Sequence, residues 1–107
     1  VVIDPSTPIK NALDRIGGTR EFLHALFEFL KGFNCSSIVT AEISYEDVLR
    51  SLEGYMVDGI IILSYPEEKM VRRKFLEVLK MRGTKHVSGK QLVDITNDGV
   101  LVHAGLR

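Results

Sequence analysis

Four basic side chains surround Gly83 in the segment LKMRGTKH. Lys80 and Arg82 follow an apolar run that is typical of a strand, and side chains two residues apart on a strand point to the same face. We therefore expect both cations to extend the apolar face formed by Leu76 and Val78. A lysine paired with an arginine suits a triphosphate, because the guanidinium is a planar fork of donors and the ammonium a compact charge. A solvated or salt-bridged strand end is the alternative.

Polar residues also follow two other apolar runs. The chain opens on Val-Val-Ile before Asp4, and Ser-Ser-Ile-Val comes before Thr40 and Glu42. Ligands of open parallel sheets bind at the carboxyl ends of the strands. In nucleotide triphosphatases an aspartate at such an end holds Mg²⁺, while Thr40 could hydrogen-bond a phosphate and Glu42 could orient a water. A helix-capping aspartate and ordinary polar strand ends are the alternatives.

Apolar spacing predicts the elements that position these side chains in the first half of the chain. Residues 1–3 and 36–42 read as strands of a parallel sheet, since they are rich in β-branched and apolar side chains. Helices are predicted over residues 9–16, 19–33 and 44–56. The second helix has an apolar stripe made of Phe22, Leu26, Phe29, Leu30 and Phe33.

The second half changes to antiparallel signals. The run GIIILSY and residues 70–81 predict two strands joined by the turn PEEK, and LVDI and VLVH predict a second hairpin around TNDG. Strand–helix–strand followed by hairpins predicts a single α/β domain over residues 1–107. Its core sheet is expected to be mostly parallel, with flanking helices and C-terminal antiparallel β-hairpins.

Composition argues against several classes of protein. The 14 basic and 14 acidic residues give no net charge, and the sequence shows no aromatic–basic patch, so a nucleic-acid partner is not expected. No apolar run approaches the ~20 residues that span a bilayer, so no membrane partner is expected. The single cysteine, Cys35, cannot form an intrachain disulfide, which favours a cytoplasmic location. We expect Cys35 to be buried.

Several stretches, in this order, resemble the KaiC-like branch of the RecA-type ATPases. They are VVID with TP, REFL..L..FLK, VTAE, Y.VDGIIIL, FLEVLKMRGTKH and DITNDGVLV. The resemblance covers nearly the whole chain, and its most specific part is KMRGTKH preceded by VDGIIIL. It implies the C-terminal part of a RecA-like P-loop NTPase fold, and ATP with Mg²⁺ as ligands of the complete domain.

The resemblance implies a role for each residue at the first two strand ends. Asp4 matches the aspartate associated with Mg²⁺ in the second nucleotide motif of the family. Thr40 and Glu42 match the strand that senses the γ-phosphate, with Glu42 in a catalytic role and Thr40 in nucleotide binding.

The resemblance likewise gives the cation cluster a function. Lys80 and Arg82 match a basic pair that, in ring-forming members, reaches ATP bound by the neighbouring subunit. They would act as catalytic cations that neutralise charge at the γ-phosphate. Thr84 and His86 lie in the same motif and are expected to bind the nucleotide.

One motif of the family is absent from the sequence. The phosphate loop, G-x-x-x-x-G-K-[ST], precedes the aspartate strand in the family and does not occur in these 107 residues. The chain therefore reads as a partial domain, expected neither to hold ATP tightly nor to hydrolyse it alone. Its expected partners are the missing N-terminal half and further copies of itself, in a ring or a swapped dimer. In the family the phosphate-loop strand lies between the strands SSIVTAE and GIIIL, and without it these two strands would expose unpaired edges.

Two other functions stay open. The chain could be an oligomerisation or regulatory module without a phosphate loop, which docks on intact ATPase subunits and offers them Lys80 and Arg82. A recombinase-like DNA binder is the least favoured function, because the chain has no net charge. A phosphate-loop motif within roughly a hundred residues upstream of Val1 would favour the ATPase.

Overall fold

The structure, a computed structural model, describes residues 1–4, 11–12, 15, 19–42, 44 and 57–103. Two units make up the chain, Val1–Val57 and Asp58–Arg107, and each is described by itself. The helix predicted over residues 44–56 lies outside the described residues except for Ser44, and most of the helix predicted over residues 9–16 lies outside them too.

A parallel strand pair and one helix form the described part of the first unit. Strand β1 (Val2–Ile3) pairs with β2 (Ile38–Val39), and helix α1 (Thr19–Lys31) lies between them in sequence. Glu21 in the first turn of α1 and Lys31 in its last turn oppose the partial charges at the helix ends, which favours the helix. Both predicted strands and the predicted helix are confirmed over these shorter ranges.

The core of the first unit lies under one side of α1. Among the described residues of this unit, Phe27 and Leu30 are buried, and partly buried side chains pack against them: Ile3, Leu26, Val39 and Val57. The stripe predicted from sequence is wrong in part, because Phe22, Phe29 and Phe33 are exposed. Apolar residues occur on more than one side of this helix, so spacing alone could not identify the inward side.

The described residues of the second unit, 58–103, form six strands. Their bounds are β3 (Gly59–Ser64), β4 (Glu67–Glu68), β5 (Val71–Arg72), β6 (Lys74–Met81), β7 (Gln91–Thr96) and β8 (Gly99–His103). Four of them make one antiparallel sheet in the order β3-β6-β7-β8, while β4 and β5 pair separately. The strand predicted over residues 70–81 is therefore interrupted at Arg73.

Both predicted hairpins of the second half are present. In the second hairpin Thr96 pairs with Gly99, which leaves a two-residue connection between β7 and β8. The α/β class is confirmed, but in the described part of the chain the larger sheet is antiparallel and parallel pairing is limited to β1 and β2. Cys35 is exposed, so the prediction that it is buried is wrong.

The two sides of α1 are expected to differ sharply in their contribution to stability. Replacing Phe27 by alanine should lower the free energy of unfolding by about 3–5 kcal/mol, because the ring is only 6% exposed and its loss leaves a cavity. Phe29→Ala removes the same atoms from a side chain that is 64% exposed, and should cost about 1 kcal/mol or less through its edge contact with Phe33. Urea denaturation of both variants measures the difference; equal losses would contradict the core assignment.

Candidate functional site

Asp4 and Thr40 lie together because β1 and β2 run in parallel. The register pairs Ile3 with Val39, and the Thr40 amide donates to the Ile3 carbonyl oxygen at 3.0 Å. The residues that follow the two strands are therefore neighbours at the same edge of the sheet. Their side chains make direct contact, since the Thr40 hydroxyl donates a hydrogen bond to Oδ1 of Asp4. Both residues are exposed.

This hydrogen bond limits what Thr40 can do. A hydroxyl has one hydrogen to donate, and here Asp4 accepts it. Phosphate oxygens are acceptors, so the hydroxyl in this arrangement has no hydrogen for the phosphate contact predicted from sequence. The arrangement instead fixes the orientation of the Asp4 carboxylate and leaves Oδ2 outside this hydrogen bond. Glu42, two residues after Thr40 in the sequence, is also exposed.

A β-bulge in β6 decides which way Lys80 points. Ile61 pairs with Val78, but the preceding residue, Ile60, pairs with Lys80, so Leu79 is an extra residue with no Cα partner in this register. Directly opposed residues share a face. Lys80 therefore shares its face with Ile60.

The bulge overturns one expectation. Without it, Lys80 would continue the face of Leu76 and Val78. With it, these two residues share the face of Met81, whose side chain lies over Gly59: a Cβ on Gly59 would approach Met81 Sδ to 3.0 Å. Lys80 lies on the opposite face, together with Glu77, and is partly buried.

Arg82 is held at the end of β6 by two contacts with Asp58. Its amide donates to the Asp58 carbonyl oxygen at 2.7 Å, and its guanidinium Nη1 donates to Asp58 Oδ1 at 3.0 Å. The two side chains are 55% and 69% exposed. The guanidinium is thus oriented by its neighbour while it remains accessible to a ligand.

The turn after Arg82 carries the remaining candidates. Gly83 has a φ of 72°, which a side chain would disfavour, and the Thr84 amide donates to the Met81 carbonyl oxygen at 3.3 Å. Thr84 and Lys85 are exposed, and His86 is half-buried. His86 Nδ1 lies 3.2 Å from the Val87 carbonyl oxygen. A carbonyl only accepts, so Nδ1 donates and, in the neutral ring, Nε2 is the acceptor.

Sequence reasoning missed Asp58 as the partner of Arg82. The signal was available, because an acidic residue directly before the strand Gly59–Ser64 and a basic residue directly after Met81 are brought together once Gly59 pairs with Met81. The candidates thus form two groups, one in each unit. Asp4, Thr40 and Glu42 belong to the first unit, and Lys80, Arg82, Thr84 and His86, with Asp58 beside Arg82, belong to the second.

The part of the chain that the structure describes contains neither a cluster of metal ligands nor a membrane-spanning helix. There, no three or more His, Cys, Asp or Glu side chains converge as ligands for a metal ion. None of the described helices has both the length and the apolar character that crossing a membrane requires.

Comparison with known proteins gives consistent results over nearly the entire chain. The family model "ATPase: KaiC" matches residues 1–107. The circadian clock oscillator protein KaiC of Parathermosynechococcus lividus is 36% identical over 103 residues, which cover 94% of this chain and 19% of the relative. KaiC of Nostoc sp. is 35% identical over 103 residues, with 94% and 20% covered.

A solved structure has the same fold. It is a KaiC-like protein of the hyperthermophilic archaeon Pyrococcus horikoshii, which matches 95% of this chain with a TM-score of 0.75 and 25% sequence identity. The match covers 47% of that protein. The chain therefore spans about a fifth of the length of the curated relatives and about half of this structural relative.

The ion pair between Asp58 and Arg82 is expected to contribute little to stability. Arg82→Ala should lower the free energy of unfolding by about 1 kcal/mol or less, because both charges are more than half exposed to water. Asp58→Ala should cost a similar amount, since the main-chain bond between the two residues survives both changes. Urea denaturation, with Asp98→Ala as a control in the β7–β8 turn, checks this; a loss of 3 kcal/mol or more would show a structural role.

Proposed function

Because the chain belongs to the KaiC family of ATPases, we propose that it supplies two parts of the ATP sites of an oligomer, one at its own nucleotide and one at the nucleotide of a neighbouring copy. One part is the Mg²⁺-associated carboxylate of Asp4. The other is the cation pair Lys80 and Arg82, which acts on the γ-phosphate of ATP bound by a neighbouring copy. The observation that supports this most directly is the fixed yet exposed guanidinium of Arg82 at the end of a strand.

The geometry of Arg82 suits a cation that acts in trans. A guanidinium has five N–H donors, and the contact with Asp58 is made by one of its nitrogens, Nη1. Donors remain for a phosphate oxygen of an incoming nucleotide. Asp58 holds the group in one orientation before the phosphate arrives, so less side-chain freedom is lost when it binds.

Asp4 fits a magnesium ion that is shared with nucleotide phosphates. Mg²⁺ takes oxygen ligands and is commonly bound through one or two carboxylates, waters and substrate phosphates. An exposed carboxylate at a strand end, with Oδ1 committed to Thr40, offers Oδ2 in this way. When bound, the ion would neutralise charge on the phosphates.

The other candidate residues take supporting roles in this proposal. Thr40 orients Asp4, in place of the phosphate contact first expected of it. Glu42 orients the attacking water, and Thr84 and His86 contact the nucleotide from the turn that follows Arg82. With no phosphate loop in its 107 residues, the chain alone is inactive and requires a segment that supplies one.

The orienting role of Thr40 gives a prediction about metal affinity. In the complete protein, Thr40→Val keeps the shape of the side chain but removes the donor, and should weaken metal binding about tenfold, as loss of an outer hydrogen bond to a ligand commonly does. Thr40→Ser keeps the hydroxyl and should bind as the parent does. Mn²⁺ titrated into nucleotide-loaded protein, with the unbound ion followed by electron paramagnetic resonance, measures this. Equal affinities of Thr40→Val and the parent would refute the role.

Mixing two inactive proteins tests the action of Arg82 in trans. Subunits with Arg82→Ala and an intact phosphate loop would be combined with subunits that keep Arg82 but have a broken phosphate loop. Mixed oligomers should regain ATP hydrolysis that neither parent shows, since a cation at the γ-phosphate is worth ~10³-fold or more in turnover.

Lys85→Ala is the matched control, because Lys85 is an exposed cation on the same turn and should leave turnover within about twofold of the parent. The proposal fails if Arg82→Ala alone keeps full activity. It also fails if the mixture stays inactive although both variants assemble.

A further inference from the structure

The β4–β5 hairpin, residues 65–74, concentrates positive charge in a chain whose net charge is zero. It contains four basic side chains, Lys69, Arg72, Arg73 and Lys74, and two glutamates. Its tip is formed by Lys69 and Met70, whose φ values are 49° and 66°. Two-residue hairpin turns of type I′ require positive φ at both central residues, so this geometry follows from the tight turn and leaves both side chains at the tip.

Two of the cations are positioned by a single aromatic ring. The guanidinium carbon of Arg72 lies 5.4 Å, and Nζ of Lys74 4.8 Å, from the centre of the Tyr65 ring. Arg72 also donates to the Tyr65 carbonyl oxygen at 3.3 Å and to Glu67 Oε2 at 3.5 Å. Like charges held around one ring repel each other, and an anion placed beside them would relieve that repulsion.

The remaining side chains of the hairpin indicate what kind of anion it meets. Because two cations already occupy the Tyr65 ring, that ring is a poor platform for stacking a nucleic-acid base. Met70 is 93% exposed and Val71 53%, so apolar surface lies next to the charges. Tyrosine, methionine and arginine are enriched at protein–protein interfaces. The hairpin therefore fits a protein surface that combines carboxylates with apolar side chains.

The outward side of α1 is such a surface. Glu21 and Glu28 are exposed and lie seven residues apart, which places them on one side of the helix. Phe22 and Phe29, 39% and 64% exposed, follow the same spacing next to them. Two glutamates make this side unsuited to burial within its own domain core, whereas an interface that brings cations can accept them.

The two units carry net charges of opposite sign, which also favours a contact between the hairpin of one copy and α1 of another. Residues 1–57 contain five basic and eight acidic side chains, a net charge of −3, and residues 58–107 contain nine basic and six acidic side chains, a net charge of +3. We propose that the hairpin of residues 65–74 docks on the outward side of α1 in a second copy of the chain. This inference rests on the self-association that the proposed function requires, and assigns two of the surfaces that make it.

A charge swap tests the contact. Two double variants of the complete protein are compared. Arg72→Glu/Arg73→Glu makes two cations of the hairpin negative, and Glu21→Lys/Glu28→Lys makes two carboxylates of the helix positive. Sedimentation equilibrium should show that each double variant self-associates at least about tenfold more weakly than the parent, because like charges now face each other. An equimolar mixture of the two should recover association to within about threefold of the parent. Asp98→Lys, which reverses the charge of one exposed residue in the β7–β8 turn, should have no effect.

Met70→Ser keeps the test decisive if a charge variant misfolds. Met70 is 93% exposed, so this change should leave the circular dichroism spectrum unchanged and still weaken association. The proposal is overturned if the parent associates no more strongly than the variants. It is also overturned if the two charge-reversed double variants fail to associate when they are mixed. A hairpin that is needed for retention on a nucleic-acid column but not for self-association also overturns it. If the variants associate normally and the Arg82 mixing experiment still succeeds, the hairpin contact is wrong and the proposed function stands.

Discussion

The antiparallel register between β3 and β6 is the constraint on which the cationic group of the site depends. Pairing of Gly59 with Met81 brings Asp58 beside Arg82, where a main-chain and a side-chain contact form together. The bulge at Leu79 belongs to the same register and sends Lys80 to the face opposite Leu76 and Val78. The fold of one hairpin thereby fixes the positions of both cations.

Sequence predicted the parts of the fold that depend on local pattern, and missed those that depend on pairing. Short apolar runs bounded by turn residues, together with the TNDG turn, were sufficient for the strands Gly59–Ser64, Gln91–Thr96 and Gly99–His103. A bulge leaves no such pattern, because the extra residue is defined only by the strand opposite. The contact of Thr40 with Asp4 was likewise invisible, although both residues had been assigned to strand ends, since it requires the register of two strands 36 residues apart.

Overall neutrality concealed a separation of charge. The sequence gives no net charge and no obvious aromatic–basic patch, because Tyr65 is separated from Arg72 and Lys74 by two glutamates and the turn. Only when β4 pairs with β5 do the ring and the cations meet. A total charge can therefore exclude a uniformly basic protein, but it does not exclude a local basic surface.

The two groups of candidate residues differ in how far their own unit supports them. Asp4 and Thr40 follow strands of two residues each, whose Val2 and Ile38 are 69% and 61% exposed, and so short a pair gains little from its own hydrogen bonds. Arg82 directly follows an eight-residue strand of a four-stranded sheet. The proposed trans site needs this difference. A cation offered to another subunit has to be oriented before the subunits meet, whereas the carboxylate near the metal can take its final position as the rest of its own ATPase domain packs around it.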